Sequence, residues 1–93
     1  MVTSERKMSN WIPVSESLPN EEEDVLVTVY FHGLNQKHAN GWNEHIKPKH
    51  YVDIANQLDG QWFSYSDEYK VAKNRHEIIA WMPLPKPYER KEE

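Results

Sequence analysis

The chain has no cysteine. That excludes disulfides, thiolate zinc sites, iron–sulfur clusters and thiol catalysis. Glycine is scarce as well: Gly33, Gly41 and Gly60 are the only three. They stand too far apart to build a glycine-rich phosphate loop or a dinucleotide fingerprint. No Gly-x-Ser-x-Gly turn is present to expose a nucleophilic serine. No apolar run approaches the ~18 residues that a membrane-crossing helix needs. Residues 1–10 hold no apolar stretch of the kind that directs secretion, so a cytoplasmic location is expected. A basic surplus is missing too. Lys and Arg total 11 against 15 Asp and Glu, for a net charge of −4 and a pI near 5.7. Nucleic-acid-binding domains usually carry a basic stripe and a pI above about 9. Here the basic residues are scattered, which disfavours a nucleic-acid partner. The run Glu21-Glu22-Glu23-Asp24 reads as a solvated turn.

Aromatic residues supply what the rest of the composition withholds. Four Trp, five Tyr and two Phe make up 12% of 93 residues. Each buries on the order of 150–250 Å², enough in sum for a small core. At this length one domain is expected, over residues 11–85, between a polar N-terminal tail at 1–10 and a charged C-terminal tail at 86–93.

Trp11-Ile12-Pro13-Val14 is apolar but broken by a proline that cannot donate to a ladder, so it is expected as an edge strand or an extended arm. Asn20 and Glu23 have the spacing of a capping pair and predict at most one helical turn over 20–24. Val25 to Phe31 is the strongest strand, apolar on both faces and therefore expected at the centre of a sheet. Residues 51–58 alternate, with Val52, Ile54 and Leu58 on one face and Tyr51, Asp53 and Gln57 on the other. Asp59-Gly60 then predicts a tight hairpin turn, with a return strand over 61–65. Trp62 on that strand is expected in the core, on the apolar side of the hairpin. Ser66 with Asp67 and Glu68 opens a possible short helix. A last strand is expected over 77–82, stopped by Pro83. The fold class is mainly β, with α+β as the variant. It comprises one antiparallel sheet of about four strands, an N-terminal extended arm and one or two short helical turns.

Residues 32–49 read as a long polar connection. Trp42 is its sole large anchor, and Asn40-Gly41 can make a turn. Two arrangements are open for Trp42. It tucks into the sheet and fixes the connection, which the hydrophobic effect favours, or it stands out as a contact residue.

The end segments carry a resemblance. Trp11-Ile12-Pro13-Val14, Leu18-Pro19 and Val25-Leu26-Val27 open the domain, and Trp81-Met82-Pro83-Leu84-Pro85 closes it. Together they resemble the family known as domain of unknown function 551, small proteins carried by tailed bacteriophages and prophages. The segment from Ile54 to Trp62 is similar to that family's middle. Ala80 stands where the family often has His, and Ser17 where it has Arg. The resemblance implies a phage or prophage origin and carries no catalytic residues. Read physically, each motif sets a Trp beside a proline-locked segment, which suits packing on a sheet. Trp11, Pro13, Leu18, Pro19, Trp62, Trp81, Met82, Pro83, Leu84 and Pro85 are assigned to structure. For Trp81 a partner-binding role remains open.

Chemistry finds little purchase. His32, His38, His45 and His50 lie at separations of six, seven and five, and His76 is remote. None forms the helical pair of a metalloprotease, and all five are expected as solvent-exposed loop residues. No metal, no cofactor and no enzymatic activity is expected. The expected function is non-catalytic binding of a host or phage protein, or of a second copy, and the resemblance adds modulation of host defence or metabolism as its setting. Trp42, Glu44, Lys47 and Trp81 are the candidate contacts. The alternative is a small-ligand or nucleotide-binding module with segment 32–49 closed over an aromatic pocket. A hydrolase with a loop-built metal site ranks third.

Overall fold

The structure, a computed structural model, describes residues 10–66 and 73–91. Seven strands follow in order: β1 Ile12–Pro13, β2 Val25–Phe31, β3 Leu34–Lys37, β4 Asn43–Ile46, β5 Lys49–Leu58, β6 Gln61–Ser64 and β7 His76–Pro83. Five of them form one sheet in the order β1-β7-β2-β5-β6, and β3 pairs with β4 alone. Every pairing is antiparallel. The expected mainly β class therefore holds. β2 is central, as its two apolar faces require, with β5 and β7 on either side.

Most expected elements appear within a residue or two of their predicted ends. Asp59 and Gly60 both have positive φ, 54° and 81°, the geometry that an Asp-Gly hairpin turn demands. Residues 20–24 form a turn and no helix. Asn20 Nδ2 donates to Glu23 Oε1 at 3.0 Å, so the capping pair forms without a helix behind it. The expected helix after Ser66 lies mostly outside the described residues, which resume with a 3-10 turn at Lys73–Arg75.

Two expectations about the strands fail. Segment 32–49 is not a structureless connection. It is a β-ribbon made by β3 and β4, which lengthens the β2–β5 hairpin beyond Gly33 and Pro48. Its polar composition concealed the strands, because strand propensity depends on packing context more than on the backbone. Leu34 opposite Ile46 supplies one apolar cross-strand pair at its base. The second failure concerns the face of β5 that is buried. The Val52–Ile54–Leu58 face is the exposed one, at 58%, 38% and 43%. The core lies on the other side, where Val25, Val27, Val29 and Ala55 are fully buried and Ile78 nearly so. Trp62, opposite Gln57, is on this core face and not on the side of Val52; it packs half-buried against the cluster.

Polar residues tolerate the core face because each is paired. Ser64 Oγ donates to Asp53 at 2.6 Å, and the Tyr51 hydroxyl meets His76 Nδ1 at 2.9 Å. His76 is accordingly buried at the start of β7, which corrects its expected loop position. Gln57 does most to fix this side. Its Nε2 donates to the Pro19 carbonyl at 2.7 Å, and its Oε1 accepts from the Gly60 N–H at 2.8 Å. The Gln57 carbonyl accepts from the Glu22 N–H at 2.8 Å. The chain from Val14 to Asp24 thus runs as a strap over the core face. At its near end Val14 donates to Ile79, and the Trp81 indole donates to the Ser17 carbonyl at 3.0 Å.

Gln57→Ala leaves a buried carbonyl at Pro19 and the Gly60 N–H without their partner. The expected loss is about 1–3 kcal/mol of unfolding free energy, the cost of buried groups left unsatisfied. A denaturant melt that moves by less than about 0.5 kcal/mol, the range of ordinary surface substitutions, contradicts the strap's anchoring role.

Candidate functional site

The ribbon's strands pair with each other and sit in a sheet of their own. At its end the His38 N–H donates to the Trp42 carbonyl at 2.7 Å, and the Gly41 N–H to the His38 carbonyl at 2.9 Å. Asn40 Oδ1 accepts from the Trp42 N–H at 3.0 Å, and Gly41 takes a φ of 89°. The Asn-Gly turn signal was legible in the sequence; the strands flanking it were not.

Trp42 is 59% exposed, so the indole does not tuck into the sheet. A ribbon two strands wide provides no second layer in which to bury it. It is positioned nonetheless. The His38 ring stacks on it at a centroid distance of 5.0 Å, and His38 Nε2 lies 3.2 Å from Glu44 Oε1. Glu44 is opposite Gln36, so cross-strand register places its carboxylate on the face of the ribbon that carries His38 and Trp42. Lys47 lies exposed where the ribbon returns to β5. Residues 32–50 hold Lys37, Lys47 and Lys49 against Glu44 alone, net +2 in a chain of −4, together with four of the five histidines.

Three of the candidate contacts, Trp42, Glu44 and Lys47, therefore share the ribbon. Trp81 does not join them. It is half-buried on β7, against the core and the strap. The segments that hold Pro13 and Trp81 meet instead. Ile12 pairs with Trp81 and Pro13 with Ala80, so the two ends of the domain are neighbouring strands. Pro19 is buried beside Gln57. Leu18 and Leu84 are exposed, at 45% and 39%. The Ser17 position serves through its backbone carbonyl.

The family model described as "Protein of unknown function (DUF551)" matches residues 10–89. The chain belongs to that family. No curated protein and no solved structure matches it. Among the described residues no group of three or more His, Asp or Glu is placed to hold a metal ion, and no helix is long and apolar enough to cross a membrane.

A second surface went unnoticed in the sequence because its residues are distant in the chain. Asp24 accepts from Asn56 Nδ2 at 3.0 Å and from the Tyr65 hydroxyl at 3.1 and 3.3 Å. These groups rim the exposed sheet face. At the opposite end of that face Tyr30 sits between His32 and His50, with ring centroids 4.7 and 4.8 Å away, and His32 Nε2 lies 3.0 Å from Glu77.

Gly33 sets the course of the ribbon. It is buried with a φ of 91°, and a Cβ there would meet the Ile46 carbonyl oxygen at 2.9 Å and the Pro48 ring at 3.2 Å. Gly33→Ala is expected to cost about 1–3 kcal/mol through backbone strain alone, plus the displacement of Ile46. Gly41→Ala has similar strain but open space, so a melt should show the smaller loss. Equal losses contradict the close approach at Gly33. Tyr65 gives a pH readout. The hydrogen bond to Asp24, then the charge of Asp24, then desolvation raise its pKa above the ordinary tyrosine value of 10.0, while the hydrogen bond with Asn56 acts to lower it. Because the folded value is raised, the contact's stabilisation is fully present below pH 10.0 and is lost as pH rises through the higher folded value. Asp24→Asn should shift the Tyr65 titration downward. An absorbance titration, with Tyr65 assigned by difference from Tyr65→Phe, checks the direction.

Proposed function

We propose that this protein is a non-catalytic binding module of phage or prophage origin. It acts in the bacterial cytoplasm and engages a protein partner with the ribbon formed by β3 and β4. The observation that carries this reading is Trp42, solvent-exposed at a turn yet held by the His38 ring and the His38–Glu44 contact. An exposed indole costs hydrophobic free energy in the isolated chain, and indoles are prominent among residues that dominate interfaces. Orienting it beforehand lowers the entropy lost on binding. The partner that fits offers a pocket for the indole. Modulation of host defence or metabolism is the biological setting this reading favours. The small-ligand alternative requires residues 32–49 to close over a pocket, whereas 34–37 and 43–46 pair with each other.

The test is affinity capture from host lysate with the full chain, followed by binding measurements on the captured protein. Trp42→Ala should weaken that binding by about 2 kcal/mol or more, the range of interface hot spots. Its melting free energy should move by less than about 0.5 kcal/mol, as for an exposed residue. A Trp42→Ala variant that retains full affinity refutes the reading, as does capture of nucleic acid alone.

A further inference from the structure

The chain leaves the sheet at Pro83, the last residue of β7, which lies opposite Val25. Leu84-Pro85-Lys86-Pro87-Tyr88 follows, and then a charged end. Residues 84–91 are all exposed, and Tyr88 reaches 90%. No hydrogen bond, ion pair or ring contact ties them to the other described residues. The family match nevertheless runs to residue 89, past the end of β7. A stretch that belongs to the family's pattern and is exposed along its whole length finds its contacts outside its own chain.

The residues dictate one conformation. Proline fixes φ near −65° and turns the residue before it away from the α region. From Met82 to Pro87 every residue is a proline or precedes one. Every peptide bond of the segment is trans, and no φ in it is positive. The outcome is a polyproline II rod, left-handed, with three residues per turn and no internal hydrogen bonds. That period sorts its side chains into three ridges. Leu84 and Pro87 share one, Pro85 and Tyr88 the next, and Lys86 and Glu89 the third. Two ridges are apolar and one is charged, so the rod is amphipathic.

We propose that Leu84 to Tyr88 is a docking peptide, taken up as a polyproline II rod by an aromatic-lined groove on a partner protein. The two apolar ridges enter the groove, and Lys86 and Glu89 stay in water. Grooves of this kind recognise the rod because it is already formed. Its carbonyls, unpaired within the rod, accept from the indole N–H or phenol O–H groups of such a groove. A rod ordered beforehand loses little conformational entropy on docking. This contact is separate from the ribbon and does not rest on Trp42.

The experiment uses the full chain as bait in host lysate, in three forms: wild type, Trp42→Ala, and Pro85→Ala combined with Pro87→Ala. The double substitution frees two φ angles and trims both apolar ridges beyond the sheet, so its melting temperature should equal that of the wild type. A protein held by the wild type and lost with the double variant is expected. Loss with Trp42→Ala reports on the ribbon and loss with the double variant on the rod, so the two readings fail separately. In calorimetric titrations of the captured protein, the double variant and Tyr88→Ala should each bind at least about tenfold more weakly, as truncated anchors do. Lys86→Ala should change the affinity by about twofold or less, as at a surface position. Nuclear Overhauser contacts should join aromatic protons of the captured protein to the rings of Pro85 and Pro87. Three results overturn the proposal: no captured protein depends on Pro85 and Pro87, the one that does binds Tyr88→Ala with full affinity, or its contacts to the two proline rings are aliphatic only.

Discussion

The structure depends on the burial of a single row of valines. Val25, Val27 and Val29 lose all contact with water, and nothing larger is fully buried among the described residues. A sheet alone cannot bury that row; it needs a cover, and among the described residues Val14, at the start of the segment from Val14 to Asp24, packs there with Tyr51, Trp62 and Trp81. The segment's hold is largely polar. Gln57 binds Pro19 and Gly60, the Trp81 indole binds Ser17, and Ile79 accepts from Val14. The hydrophobic term supplies the drive, and these hydrogen bonds choose which face of the sheet receives it.

That choice explains the inverted polarity of β5. Alternation in the sequence marks Val52, Ile54 and Leu58 as the apolar side, which is correct as a description of the strand. It does not say where the cover lies. β2 is apolar on both faces, so it casts no vote. The deciding contacts join residues about forty positions apart, such as Gln57 with Pro19 and the Glu21 carboxylate with the Asp59 N–H. Short-range periodicity holds no information about them. What was legible was local: the central strand, the Asp-Gly turn with its two positive φ values, the proline-broken edge strand and the Asn20–Glu23 pair. Asn40-Gly41 was legible as a turn. The ribbon on either side was not, because Asn, Gln, Lys and His hold strands there by backbone pairing and one apolar pair, Leu34 with Ile46.

The candidate site divides along the same line. Trp42, Glu44 and Lys47 are close in the sequence, and the ribbon brings them together. Trp81 is distant from them, and the indole hydrogen bond to Ser17 explains its presence without a partner. The two end motifs, which looked like separate signatures, are one piece of construction: adjacent strands with a proline on one and an indole on the other, holding the near end of the strap.

The edges of the sheet bear on how such a protein meets others. A β protein recruits another chain by adding a strand at an edge or by packing on a face. The two outermost strands are short. β1 has only two residues, one of them Pro13, and β6 has four. Short edges and edge prolines oppose strand addition. The aromatic ribbon tip and the apolar face carry no such protection. Trp42, Val52, Ile54 and Phe63 are exposed and offer side-chain contacts. These discriminate between partners, whereas an open strand edge offers main-chain groups that any extended chain can pair with.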